Sequence, residues 1–359
     1  MKTTKKLTFL AAGLLVAAGA LTACSSGSSG TSSSTDSASS GGTIALLLPE
    51  SKTARYEQFD RPLFEAKVKD LGGGQVLYSN ADQDASKQQQ QAESALTAGA
   101  KVLVLDPVDA KAAVSIVSEA NAQNVPVISY DRLVAGGQLA YYISFDNEKV
   151  GELQGTAIVD ELKKTGASGG ILMVNGSPTD GNAALFKSGA HKEIDASGVK
   201  VLAEFDTPDW SPDKAQEWVA GQITQYSGQI AGVYAANDGT AGGAVAALKA
   251  ANVSPWPIIT GQDAELAGIQ RIVAGDQYMT VYKAIKQEAE KAAEIAVDLA
   301  GGKTVTGDTT VSGTQATLLT PVVVTVDNIM DTVVKDGFYK VSDICTTQYA
   351  AACTAHNIK

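Results

Sequence analysis

Asp131-Arg132 and Asp146-Asn147 each stand directly after a short apolar run, Val127–Tyr130 in the first case and Tyr141–Phe145 in the second. Apolar, β-rich runs of this length read as buried strands. In an open α/β sheet, ligands bind at the carboxyl ends of the strands. An aspartate beside an arginine offers acceptors and a rigid donor fork together, which suits hydroxyl groups that both give and take hydrogen bonds. Asp106 ends another such run, Val102–Leu105, ahead of Pro107. Asp before Pro also signals a turn, but the shared strand-end position favours a ligand role. Asn147 precedes a helical stretch starting at Glu148 and suits its N-cap, so a hinge and capping role stands beside ligand contact there.

The same inventory argues against catalysis. The chain has 2 histidines, His191 and His356, in unrelated segments, so a His-based triad or multi-His metal site is not expected. No Gly-x-Ser-x-Gly elbow is present. Gly302-Lys303-Thr304 imitates the end of a phosphate-binding loop, but Val297 stands where its first Gly should be and a helix precedes it. Asn80, Asp82 and Asp84 imitate a calcium loop, yet Ala85 replaces the required Gly and Gln91 the bidentate Glu. Paired acids keep a glycosidase open as an alternative; it predicts turnover of a glycoside, whereas a binding protein predicts tight binding without turnover.

The elements that must position these residues alternate. Strand-like runs are Ile44–Leu48, Gln75–Tyr78, Val102–Leu105, Val127–Tyr130 and Tyr141–Phe145, with helices at Tyr56–Asp70, Ser86–Ala98 and Lys111–Ala122 between them. A second series has strands at Ile171–Val174, Val199–Glu204, Gly232–Ala235, Pro257–Thr260 and Met279–Tyr282. Its helices are Glu148–Lys164, Ala183–Ile194, Pro212–Tyr226, Thr240–Ala251 and Ala264–Ala274. A helix Ala284–Ala300 and a strand Leu319–Val324 complete the folded region. Such alternation argues for an α/β fold of parallel sheets with helices on both faces. Composition alone would set one domain boundary, near Phe145.

The chain of 359 residues is 44% hydrophobic, enough for one large or two ordinary domains, and carries a net charge of -11. That acidity argues against nucleic acid and against phosphorylated substrates. Lys2, Lys5 and Lys6 precede the apolar run Leu7–Leu21, too short for a permanent membrane span. It ends in Leu21-Thr22-Ala23-Cys24, which resembles the bacterial lipobox: cleavage leaves Cys24 as the lipid-bearing first residue. Residues 25–42, almost wholly Ser, Gly, Thr, Asp and Ala, read as a flexible tether. Cys345 and Cys353 are the other cysteines, and in an exported protein an even pair suggests a local disulfide.

In combination, TARYEQFDRPLF, VLDPVD, SYDR, YISFDNEKVGELQ, NGSPTDGNAALF, AANDGTAGGA, GQDAELAGIQRI and MTVYK resemble the periplasmic sugar-binding proteins that feed ABC transporters, above all their D-xylose-binding branch. The resemblance runs from Thr43 to about Phe338. It implies a type I periplasmic binding protein fold: two Rossmann-like lobes with parallel sheets, joined by a three-strand hinge. By that resemblance the chain crosses near Phe145, Lys283 and Leu318. Residues 43–145 and 284–317 then form the N-terminal lobe, 146–283 and 318–340 the C-terminal lobe, and 341–359 a tail with the Cys pair, behind the 1–24 signal and the 25–42 tether.

The resemblance also implies a sugar site. Arg55 and Tyr56, which otherwise open a solvent-facing helix, become an arginine donor and an aromatic face for the sugar. Asp131 and Arg132 become ligand residues rather than only an ion pair. Asn182, otherwise a residue of a Gly-rich turn where it or Asp180 caps a helix, faces the sugar. Trp210, on a polar loop, stacks on it. Asn237 and Asp263 are further ligand residues, and Asp238 caps the next helix. Two readings stand for Lys283: a donor to sugar, or a partner for a hinge carboxylate. The expected ligand is a monosaccharide, D-xylose first, with glucose, arabinose, ribose and galactose as neighbours. The expected partner is a membrane permease with a separate ATPase; no cofactor, metal or nucleic acid is expected, and the chain is expected to be a monomer anchored outside the cytoplasmic membrane. A ligand-sensing regulator of the same fold would need a DNA-binding helix-turn-helix where this chain has an export signal.

Overall fold

The first strand, β1 (Ile44–Leu48, IALLL), is buried at every position. A strand covered by helices on both faces has no polar side, so it reads as an unbroken apolar run. The computed structural model describes residues 41–359. The signal segment, Cys24 and the tether as far as residue 40 lie outside the described residues.

After β1 come α1 (Arg61–Asp70), β2 (Val76–Asn80), α2 (Ala85–Thr97), β3 (Val102–Leu105), α3 (Val114–Ala122), β4 (Val127–Tyr130) and β5 (Tyr141–Phe145). A second alternating run contains α4 (Asn147–Thr165), β6 (Gly170–Asn175), α5 (Gly181–Ser197), β7 (Val201–Asp206), α6 (Pro212–Gln225), β8 (Ile230–Ala235), α7 (Asp238–Ala250), β9 (Ile258–Ile259), α8 (Leu266–Ala274) and β10 (Thr280–Tyr282). Then follow α9 (Ile285–Ala300), β11 (Thr309–Val311), β12 (Thr314–Leu319), β13 (Val322–Val324), α10 (Val341–Ile344) and α11 (Ala350–Ala355).

The first sheet runs β11-β12-β5-β4-β3-β1-β2, parallel except where β11 meets β12. The second runs β7-β6-β8-β9 and is parallel throughout. Each sheet reverses its strand order once, between β1 and β3 in the first and between β6 and β8 in the second. A crevice opens outside the carboxyl strand ends at such a switch point. Topology therefore places the loops after β1, β3, β6 and β8 where a ligand can be held.

Helices cover both faces of both sheets. Phe64 and Val68 of α1 pack with Ala289, Ala292 and Ala296 of α9 on one face of the first sheet, and Leu96 of α2 with Ile116 and Val117 of α3 on the other. In the second sheet α4 and α5 share one face, α6 and α7 the other. Helices α4 and α5 touch backbone to backbone. A Cβ on Gly151 would lie 2.0 Å from the Phe186 carbonyl oxygen, and one on Gly189 2.1 Å from that of Glu148.

One expectation is corrected at the C-terminal end. The apolar run expected as one strand, Leu319–Val324, is split. Its first residue ends β12 in the first sheet, and Val322–Val324 pairs antiparallel with β10 in a separate two-stranded sheet. Pro321 lies between the halves and has no N–H to continue a ladder. The tail after residue 340 is folded: Ile344, Cys353 and Ile358 are buried against Ile269, Ile272 and Val273 of α8. Within it a disulfide joins Cys345 to Cys353.

Candidate ligand-binding site

Arg55 and Tyr56 leave β1 as the chain enters one π-helical turn, Tyr56–Asp60. Asp131 and Arg132 leave β4, Asn182 follows β6, Trp210 follows β7, Asn237 follows β8, Asp263 follows β9 and Lys283 follows β10. These residues line one cavity between the two sets of strand ends, and Thr53, Asp180, Phe186 and Gln262 line it with them. Asp106, at the end of β3, is not among the lining residues; its carboxylate lies 3.5 Å from Arg132 Nε. The cavity is small, about 20 Å³, little more than one water needs. A larger ligand is admitted only if contacts across the cleft part.

Those contacts are specific. Arg132 Nε pairs with Asp180 across the cleft at 3.0 Å, and Asn182 Nδ2 donates to the Asp131 carbonyl at 3.0 Å. Arg132 Nη2 also donates to Tyr56 Oη at 3.0 Å, and Tyr56 in turn donates to Asp131 Oδ2 at 3.3 Å. Asp131 Oδ1 accepts from Arg55 Nη1 at 3.1 Å, and Lys283 Nζ lies 2.9 Å from Asp263 Oδ1 and 3.9 Å from Asp131 Oδ1. Lys283 thus lines the cavity and pairs with carboxylates at once. Asp131 (φ 54°), Trp210 (φ 52°) and Asp263 (φ 89°) hold left-handed backbone conformations, which cost on the order of 1–3 kcal/mol each in a non-glycine residue. The fold sustains that cost where the side chains must converge.

Charge in this region is unbalanced. Arg55, Arg132 and Lys283 are the buried cations; the buried acids around them are Glu50, Asp60, Asp106, Asp131, Asp180, Asp263 and Glu288. Burial pushes the Asp131 carboxyl up, but Arg55, Lys283 and Arg132 outweigh it and hold it at about 2. Burial dominates at Glu50, Asp106 and Asp180, whose carboxyls sit above their ordinary range against the opposing pull of Arg132. Both Asp106 carboxylate oxygens lack a hydrogen-bond partner among the described residues. A site with surplus carboxyl oxygens and few free cations repels anions and offers acceptors to a neutral, hydroxyl-bearing ligand.

Two capping assignments are corrected. Asp146, not Asn147, caps α4 by accepting from Lys149 N at 3.1 Å. Asn147 Nδ2 instead donates to Ser144 Oγ, which donates to the Asp131 carbonyl. Asn237 caps α7 by accepting from Thr240 N at 2.9 Å, which leaves its amide nitrogen as what it can offer a ligand. Asp238 is fully buried inside the first turn and binds Gln277 and Thr280. Neighbouring residues with equal capping propensity are told apart only by which one the strand end turns inward.

The sequence pattern gave Asp180 only as a candidate helix cap and did not single out Phe186. Asp180 caps α5 through Asn182 N at 2.9 Å, pairs with Arg132, and accepts from Trp210 Nε1 at 3.0 Å. The Phe186 ring meets Trp210 edge-on, with centroids 6.3 Å apart. A Cβ on Gly176 would lie 2.1 Å from the Trp210 ring, so this glycine makes room for the indole. Gly176→Ala is expected to displace Trp210, lower stability by about 1–3 kcal/mol as an overpacked site does, and shift indole emission. Unchanged emission and melting temperature would show that the ring has room to spare.

Comparison with known proteins follows the same lines. Residues 44–304 match the periplasmic binding protein domain family. The D-xylose-binding periplasmic protein of Escherichia coli (strain K12) is 39% identical over 309 residues, which are 84% of this chain and 92% of that protein. The D-xylose-binding periplasmic protein of Haemophilus influenzae is 37% identical over 334 residues, 91% of this chain and 96% of that one. Among solved structures, an ABC transporter solute binding protein from Clostridium phytofermentans with bound β-D-glucose has a TM-score of 0.77 at 27% identity, covering 84% of this chain and 99% of that one. The architecture is the type I periplasmic binding protein fold.

Proposed function

The chain belongs to the periplasmic sugar-binding proteins, a family of binders rather than enzymes, and from that premise we propose that it captures a monosaccharide, D-xylose first, and delivers it to an ABC-type permease. The observation that carries this reading is the single cavity at which Asp131-Arg132 of one sheet meets Asp180, Asn182 and Trp210 of the other. Charge-assisted bonds to a dehydrated sugar discriminate strongly, because a missing hydroxyl leaves a buried charge unpaired. The 39% and 37% identity to D-xylose-binding proteins supports the pentose.

In this reading residues 43–145 and 284–317 form one lobe and 146–283 and 318–340 the other. Sugar stabilises the closed arrangement, because only then do the residues after β1 and β4 and those after β6, β7 and β9 touch it together. The closed form docks on the permease as a monomer, held to the outer face of the cytoplasmic membrane through lipid on Cys24. Calorimetric titration of the chain truncated at Cys24 with a panel of pentoses and hexoses tests the ligand. D-xylose is expected to bind well below ~10 μM with the other sugars at least tenfold weaker, each tenfold being ~1.4 kcal/mol of specific contact. Equal affinity across the panel would overturn the pentose assignment, and no heat with any monosaccharide would overturn the reading as a whole.

A further inference from the structure

The buried stripe of α9 is Ile285, Glu288, Ala289, Ala292, Ala293, Ile295 and Ala296. One acid stands in an otherwise apolar row, fully buried. A leucine there would pack without the cost of removing a carboxyl from water, and well-packed apolar residues often replace a buried ion cluster at no loss of stability. Stability alone therefore does not account for Glu288.

Its partner does. Arg55 has five N–H groups. Asp60 takes two of them, from Nε at 2.9 Å and Nη2 at 2.6 Å. Glu288 Oε2 takes the second Nη2 hydrogen at 2.6 Å, and Asp131 takes one from Nη1 at 3.1 Å. One Nη1 hydrogen is left, and Arg55 lines the cavity. Tyr130 Oη donates to Asp60 and fixes that carboxylate in turn. Glu288 lies five residues past Lys283, on the first turn of the helix that follows β10.

We propose that Glu288 and Asp60 are positioning residues that clamp the Arg55 guanidinium so that its one free N–H is aimed at a ligand hydroxyl. The clamp ties α9, and with it the segment leaving β10, to the ligand-contacting edge of β1. The inference rests on the cavity being the sugar site. Burial drives the Glu288 carboxyl well above its ordinary range, with Arg55 pulling the other way. A glutamine keeps an acceptor oxygen for the Arg55 Nη2 hydrogen without the charge.

The test is a double-variant cycle read by D-xylose titration. Glu288→Leu and Arg55→Ala are each expected to weaken binding at least tenfold, and the double variant is expected to bind no worse than Arg55→Ala, because Glu288 acts through Arg55. Glu288→Gln is expected to stay within threefold of the native chain. Losses that multiply in the double variant, or native affinity in Glu288→Leu, would overturn the proposal. Should Glu288→Leu fail to fold, the cycle is run with Asp60→Asn, for which the same non-additivity is expected and additivity is fatal. The cycle is repeated by urea unfolding without sugar, where Arg55→Ala and Glu288→Leu are expected to be coupled. If the native chain binds no xylose but that coupling appears, the ligand assignment fails and the clamp stands; absence of both coupling signals removes the clamp.

Discussion

Arg132→Ala is expected to weaken sugar binding by roughly a thousandfold or more, which corresponds to about 4 kcal/mol. The guanidinium holds Asp180 at 3.0 Å, Asp106 at 3.5 Å and Glu50 at 4.0 Å, and donates to Tyr56 at 3.0 Å. Removing it leaves three buried acids facing one another, and breaking a buried pair from one side costs about 3–5 kcal/mol. The same cleft loses its main direct tie between strand ends of the two sheets. Arg132→Lys is expected to recover only part of the loss, since an ammonium cannot present the planar fork. Calorimetric titration and urea unfolding of both variants check this. An alanine variant within tenfold of native affinity would mean that Arg132 supports the wall without touching ligand.

The second large effect is with pH. Asp238 is fully buried and accepts from Gln277 Nε2 at 2.7 Å, Thr280 Oγ1 at 3.0 Å and Glu265 N at 2.8 Å. Burial, with Asp263 adding and Arg271 opposing, pushes its carboxyl up to about 7. Glu265 is pushed up to about 8 by burial first and by Asp238 and Asp263 next. Its Oε1 accepts from Ala54 N at 3.2 Å, across the cleft from the loop after β1. Both groups keep their protons in the folded chain at pH values where the unfolded chain has released them. Their contribution to stability is therefore complete below about pH 4 and is lost as pH rises through 7 and 8. The unfolding free energy is expected to be up to about 7 kcal/mol lower at pH 9 than at pH 5, and Asp238→Asn is expected to flatten part of that slope. Stability that is level or rising from pH 5 to 9 would show that these carboxyls ionise at ordinary values.

Much of the cleft was legible because parallel strands all point their carboxyl ends the same way. Any polar residue directly after an apolar run in an alternating α/β pattern is carried to the same edge, whatever the order of the strands. Asp131 and Arg132 follow this rule and line the cavity, together with Tyr56, Asn237 and Asp263, which the family resemblance added. Asp106 follows it too and reaches Arg132 without lining the cavity, because the rule places a residue at an edge and not at a depth. The apolar run Leu319–Val324 looked like one strand since both halves are apolar; only pairing with β5 on one side and β10 on the other divides it.

The sequence by itself thus determined the α/β class, the alternation of elements and the strand ends at which ligand chemistry gathers, since these depend on local periodicity and composition. The tertiary structure alone decided which groups meet across the cleft. Asp180 reaching Arg132, Gly176 yielding space to Trp210, Glu288 closing on Arg55 and Glu265 reaching Ala54 all join segments far apart in the chain. Such contacts depend on how separate elements are packed against one another, and no local pattern records that. Glu288 left the one usable trace, a lone acid on a stripe of alanine and isoleucine, because burying a carboxyl is costly unless a fixed partner waits for it.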